Sequence, residues 1–327
     1  MKQLMRMTIV VAAVLVSIGS ARPASALDLD VLATFDPNAG ELPESITIDD
    51  AGNLYFSMSN TVRKRTPDGT ISLFGTIAPG IFALGVKVGP DGCIYSASTS
   101  LNPMIDGAFV WRICTPGEVL STPFTELDQT GHPNDLAFDD DGNLYVTDTL
   151  LGVVWKVLPD GTPSIWLSDP LFAPNFDHPA FVTLPVGVDG IAFDKQKHNL
   201  YLSNLDYGRI VRVPFHDGAP GTPTVFAEDP LLIGVDGIAF DNAGNLFVPV
   251  NTQDRLAVLD HQGRVTVLAE GSPLDGPSSV VFGTRPHDRR TLYVTSSAFP
   301  RAFGVQPGTP HPALLKTHAQ HKGLALP

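Results

Sequence analysis

The sequence predicts an all-β fold, a six-bladed β-propeller with four-stranded antiparallel blades, and three observations predict it. A phrase recurs six times: a short apolar strand, an acidic turn with glycine, then a strand opening on Leu-Tyr or a close variant. The aromatics that mark the second strand are Tyr55, Tyr95, Tyr145, Tyr201, Phe247 and Tyr293, spaced by 40, 50, 56, 46 and 46 residues. Periods of this size belong to propeller blades. No stretch carries the apolar period of a long amphipathic helix.

Each copy makes sense as a hairpin. Alternation such as Ile46-Thr47-Ile48 turns one face inward, and turns such as Asp50-Ala51-Gly52-Asn53 supply the positive-φ positions of a tight connection. A third strand then ends at Pro67-Asp68-Gly69, Pro159-Asp160-Gly161 or His261-Gln262-Gly263, and a fourth apolar segment such as Thr266-Val267-Leu268 follows. The blades are expected at 43–76, 83–127, 133–169, 188–229, 235–271 and 277–305. Leu29 to Phe35 is expected to add the outer strand that closes the ring, because closure removes exposed edges. The Pro-rich linker from Ser168 to Pro185 reads either as a lid over one face or as a packed insertion. Residues 309–327, with His311, His318 and His321 irregularly spaced, read as a disordered C-terminal tail rather than a ligand cluster. The propeller is thus expected over 27–308.

The first 26 residues read as an export signal: Lys2 and Arg6, an apolar run from Thr8 to Gly19, and small residues Ala24-Ser25-Ala26 for cleavage. The expected location is secreted or periplasmic, with no membrane span after cleavage. The formal net charge is -13, and losing Lys2, Arg6 and Arg22 makes it more negative still, which argues against nucleic acid as a partner. A monomer is expected. Cys93 and Cys114 are the only cysteines, on successive strands of one repeat. They read either as a disulfide or as two buried free thiols, since strand register decides whether they meet.

In a propeller the residue just before each innermost strand points toward the axis. That position is occupied by Glu44, Leu84 or Gly85, Asn134 with Asp135, Asp189, Asp236, and Ser278 or Ser279. Carboxylates converging there would repel one another, and a bound cation resolves the repulsion. Oxygen-only donors favour a hard ion: Ca2+, with Mg2+, Mn2+ or Zn2+ as alternatives. By contrast Asp49, Asp139, Asp194 and Asp241 lie one strand further on and read as turn-shaping residues. The second strand returns to the axial face, so Asp148, Asn204 and Asn251 at its end are candidates for the pocket or the layer behind the ligands, with loop capping as the other reading.

Pro-Glu-Ser-Ile before the first strand, Pro-Asn-Asp-Leu before the third, and Val-Asp-Gly-Ile before the fourth and the fifth resemble the senescence-marker-protein/gluconolactonase (regucalcin-like) family. That family is related to paraoxonases and to NHL-repeat propellers. The resemblance implies metal ligation by Glu44, Asn134, Asp189 and Asp236, a substrate-contacting role for His132, and hydrolysis of a lactone or related ester with Asp236 as general base or nucleophile. The chain departs from the family's usual pattern at Leu136, at Asp189, where asparagine is usual, and at Ser45, where an aromatic is usual. These departures bear on substrate preference more than on metal ligation. No Gly-x-Ser-x-Gly elbow or zinc-protease signature is present. The alternative is a non-catalytic NHL-like propeller that binds a protein or small molecule.

Overall fold

The computed structural model describes residues 27–102, 104–181 and 184–324. The export signal expected over residues 1–26 lies outside these. Six sheets are arranged as blades around one axis. From the axis outward, blade 1 consists of Pro43–Ile48, Leu54–Met58, Thr61–Arg65 and Ile71–Thr76, and the short strand Glu118–Val119, from within the span expected for blade 2, adds in parallel to its outer edge. Blade 3 consists of Pro133–Phe138, Leu144–Asp148, Val153–Val157 and Pro163–Ser168, and blades 2, 4 and 5 repeat the same antiparallel order. The innermost strands adjoin one another in ring sequence, so the first blade touches the sixth.

Blade 6 corrects one expectation. Its sheet runs Pro277–Phe282, Thr291–Ser296, Ala313–His318, Asp30–Thr34. Residues 309–324 are therefore not a tail; Leu314 and Leu315 are fully buried, and the blade ends at 318 rather than 305. The N-terminal strand closes the ring from outside, as expected, with Asp30 facing Lys316 in the register. The C-terminal segment continues onto blade 5, where Asn242 N donates to Lys322 O and Leu324 N to Phe240 O.

The core lies between blades rather than within one. The marker aromatics are wedges: Tyr95 meets Phe138, Tyr145 meets Phe193, Tyr201 meets Phe240 and Phe247 meets Phe282, each edge to face across the blade boundary. This explains why an aromatic recurs at that position; one ring fills the gap that the fan of blades opens with distance from the axis. The turn aspartates are structural. Asp49 accepts from Asn53 N (2.8 Å), Asn53 Nδ2 (2.7 Å) and the Tyr55 hydroxyl (3.1 Å), and Asp139 does the same with Asn143 and Tyr145. Cys93 and Cys114 form a disulfide, with Cα atoms 4.4 Å apart. Their strands pair Ile94 with Ile113, which sets the two cysteines opposite one another. Among the described residues, no helix is long and apolar enough to cross a membrane.

Candidate functional site

The axial residues are presented by a repeated irregularity. In blade 1 the register jumps from Pro43↔Met58 to Ile46↔Phe56, so Glu44 and Ser45 face the single residue Ser57. In blade 3 Asn134 and Asp135 face Thr147, and in blade 4 Asp189 and Gly190 face Ser203. A bulge of this kind re-aims the side chain that an unbroken strand would send into the blade stack.

A bulge also leaves a backbone N–H without a ladder partner, and a hydroxyl on the facing strand satisfies it. Ser45 N donates to Ser57 Oγ (3.0 Å), Asp135 N to Thr147 Oγ1 (3.0 Å) and Gly190 N to Ser203 Oγ (2.7 Å). Each relevant hydroxyl then reaches into the next blade: Thr147 Oγ1 donates to Asp189 O, Ser203 Oγ to Asp236 O (2.8 Å), and Thr295 Oγ1 to Glu44 O (2.7 Å). The backbones of Glu44, Asp189 and Asp236 are thus fixed from the preceding blade. Sequence reasoning missed Ser57, Thr147, Ser203 and Thr295. The available signal was a hydroxyl two residues after the marker aromatic, on a strand otherwise apolar. The glycine of Val-Asp-Gly-Ile has a packing reason: a Cβ on Gly190 would stand 2.5 Å from Asp236 O.

The four predicted axial residues come together. Glu44, Asn134, Asp189 and Asp236 all line the floor of one cleft of about 640 Å³. Asn134 Nδ2 donates to Asp189 Oδ1 (2.7 Å). Asp236 accepts from Gly237 N at Oδ1 (2.9 Å) and from Asn251 Nδ2 at Oδ2 (3.1 Å). Burial pushes the Glu44 carboxyl well above its usual range, and the charges of Asp189 and Asp135 add to that. Asp189 is raised by burial and then by Asp236, and Asp236 by burial and then by Glu44. Among the described residues, none of these three carboxylates is paired with a Lys or Arg. As the side chains stand, no three His, Cys, Asp or Glu among the described residues form a ready-made metal cluster.

The remaining candidates divide. His132 lines the cleft wall; burial lowers its pKa while Asp148 opposes this. Asn251 stands directly behind Asp236, and its Oδ1 is buried without a partner. Asp135 lies beneath the floor, accepting from Leu136 N and from Ile191 N of the next blade. Asp148 caps the loop under His132, accepting from His132 N, Leu151 N and Trp155 Nε1. Asn204 ties down the linker through Leu171 O and Ala173 O. Neither Asp148 nor Asn204 reaches the cleft; both cap loops.

The 168–185 linker supplies part of the wall. Phe172 is fully buried, whereas Phe181 and Leu184 line the cleft. Asp206, also missed, pins the segment by accepting from Asn175 N, Ala180 N and Val186 N.

Comparison with known proteins agrees with this architecture. The chain is 26% identical over 277 residues to the gluconolactonase of Zymomonas mobilis, covering 73% of this chain and 70% of that one. Among solved structures it resembles a calcium-binding regucalcin from Agrobacterium tumefaciens, with a TM-score of 0.63, 19% identity and coverage of 92% and 97%. It also resembles a gluconolactonase from Xanthomonas campestris, with a TM-score of 0.59, 17% identity and coverage of 92% and 99%. The model of the SMP-30/gluconolactonase/LRE-like region matches residues 118–298, more than half of the sequence, and the chain belongs to that family.

Proposed function

We propose that the protein is an exported, divalent-cation-dependent hydrolase of the gluconolactonase type, acting on lactones or related esters. The observation that carries this reading is the floor of the cleft: three buried carboxylates, with no Lys or Arg among the described residues paired to them, beside an amide. Such a donor set fits a hard divalent ion, and calcium best, because every donor is an oxygen once the Asn134 amide turns its Oδ1 inward. Glu44, Asn134, Asp189 and Asp236 would hold it. When bound, the ion supplies Lewis-acid polarisation of the ester carbonyl.

The chain's own residues do the rest. Asp236 is oriented by Gly237 N and Asn251 Nδ2. Burial and Glu44 raise its carboxyl toward the range of a general base, while these two hydrogen bonds oppose the rise. Asp236 takes a proton from the attacking water and returns it to the ring oxygen as the acyl C–O bond breaks, leaving a hydroxy acid. The hydroxyls of Thr147, Ser203 and Thr295 hold the backbones of the floor residues in register, so the geometry is set before substrate arrives.

The test is hydrolysis of a small lactone panel after chelation and after adding back calcium, magnesium, manganese or zinc. Turnover restored by a metal is the expected result. Asp236→Ala should abolish it and weaken metal binding, whereas Asp139→Ala should mainly lower the melting temperature. Equal activity in the two variants would overturn the site assignment. No turnover with any metal, alongside stabilisation by calcium, would leave a metal-braced binding propeller.

A further inference from the structure

The walls above the floor are hydrocarbon. Phe82 and Leu101 from blade 2, Phe181 and Leu184 from the linker, and Phe299 and Phe303 from the connection within blade 6 line the cleft. Phe82, Leu101 and Phe303 remain 38%, 50% and 53% exposed. Large apolar side chains gathered around one opening mark a place where apolar ligand surface is buried. The segments bearing them are tied down. Arg301, between the two rings of blade 6, bridges Asp254 and Asp275 at 2.6 Å each, and Asp206 pins the linker.

The polar groups that a polyhydroxylated ring would need are few on the walls, where His132 stands among hydrocarbon. Among the described residues no Lys, Arg or Gln lines the cleft. Ser59 Oγ donates to Gly40 O (2.6 Å) and Thr149 Oγ1 to His132 O (3.2 Å), so both hydroxyls are engaged within the protein. Thr99 Oγ1 is buried without a partner and offers one hydrogen bond. A sugar lactone would set several hydroxyls against phenylalanine and leucine, losing their hydration without replacement.

We infer that the cleft selects lactones or esters carrying an apolar substituent, an alkyl chain of several carbons or an aryl ring, with the ester at the carboxylate floor and the hydrocarbon along the phenylalanine wall. The cleft volume of about 640 Å³ matches pockets that enclose ligands well beyond a single sugar ring. The inference rests on the hydrolase reading for its chemistry; its binding half rests on the wall alone.

The experiment compares kcat/KM of the calcium-loaded protein for γ-lactones bearing methyl to octyl chains and for glucono-δ-lactone. In parallel, calorimetry measures binding of the non-hydrolysable 2-alkylcyclopentanones of matching length. Expected is a rise of about fourfold per added methylene until the wall is covered, and glucono-δ-lactone below the longer alkyl lactones. Phe303→Ser, at a half-exposed position, should flatten this dependence and lower kcat/KM for the octyl lactone by about fivefold to tenfold. Turnover that ignores chain length, or favours glucono-δ-lactone, overturns the inference while leaving the hydrolase intact. No hydrolysis of any lactone, with ketone affinity still rising with length, would sink the hydrolase and uphold the apolar site. Ketone binding that does not depend on length overturns the inference in either case.

Discussion

Asp189 occupies a position where a neutral amide would make the same hydrogen bond. It accepts Asn134 Nδ2 at Oδ1, and burial, Asp236 and Asp135 raise its pKa. A carboxyl whose pKa is higher folded than unfolded contributes stability below the unfolded value, about 3.9, and that contribution is lost as pH rises through the folded value. Without metal, Asp189→Asn should therefore melt a few degrees above the parent at pH 7, with the gap closing toward pH 4. Added calcium should stabilise the parent more than the variant, because the variant's site has one charge fewer. A gap that ignores pH would show that folding does not raise the Asp189 pKa. The positions of Glu44, Asn134, Asp189 and Asp236 were legible because the axial residue precedes each apolar strand in a fixed phrase. The hydroxyls that hold them were not, because a bulge leaves no mark in alternation. Thr147 reads as an ordinary strand threonine until the register places it opposite both Asn134 and Asp135.

Elements were legible wherever pairing is local. The hairpin turns of the first two strands of a blade follow directly from Asp, Gly and Asn at fixed offsets, and the structure places them there. Register between strands is another matter: whether Cys93 meets Cys114 depends on the long 99–109 connection, whose length encodes no register. The bridge closes a span of 21 residues that carries Thr99 and Leu101 to the cleft wall. In the loop-entropy account such a closure contributes about 3 kcal/mol. Replacing both cysteines by serine should lower the melting temperature by several degrees and leave a folded propeller. Thiol titration of the denatured, unreduced protein should find no free thiol, and a count of two would reject the bridge. The linker divides in the same way: its prolines announced an irregular segment, but only Asp206, distant in the sequence, decides that it packs as a wall.

A propeller stands or falls on its closure, which is the least local contact in the chain. Blade 6 takes its inner strands from 277–296, its third from 313–318 and its outermost from 30–34. The segment Gly308-Thr309-Pro310-His311-Pro312 hid this, because two prolines and a terminal position carry the signature of disorder, and the strand after them is short. Leu314 packs against blade 1 and Leu315 against blade 5, so one strand seals both neighbouring layers. Deleting 309–327 removes those side chains, exposes Thr291–Ser296 as an unpaired edge and releases the staple onto blade 5; it should abolish the cooperative melting transition and drive aggregation. Deleting 27–34 removes only the outermost strand, whose residues are mostly half-exposed; the protein should stay soluble and melt at lower temperature. Calorimetry of the two truncations separates the contributions. If the C-terminal deletion melted like the parent, residues 309–327 would be dispensable and the ring would have to be held by the first five blades and the hairpin of the sixth.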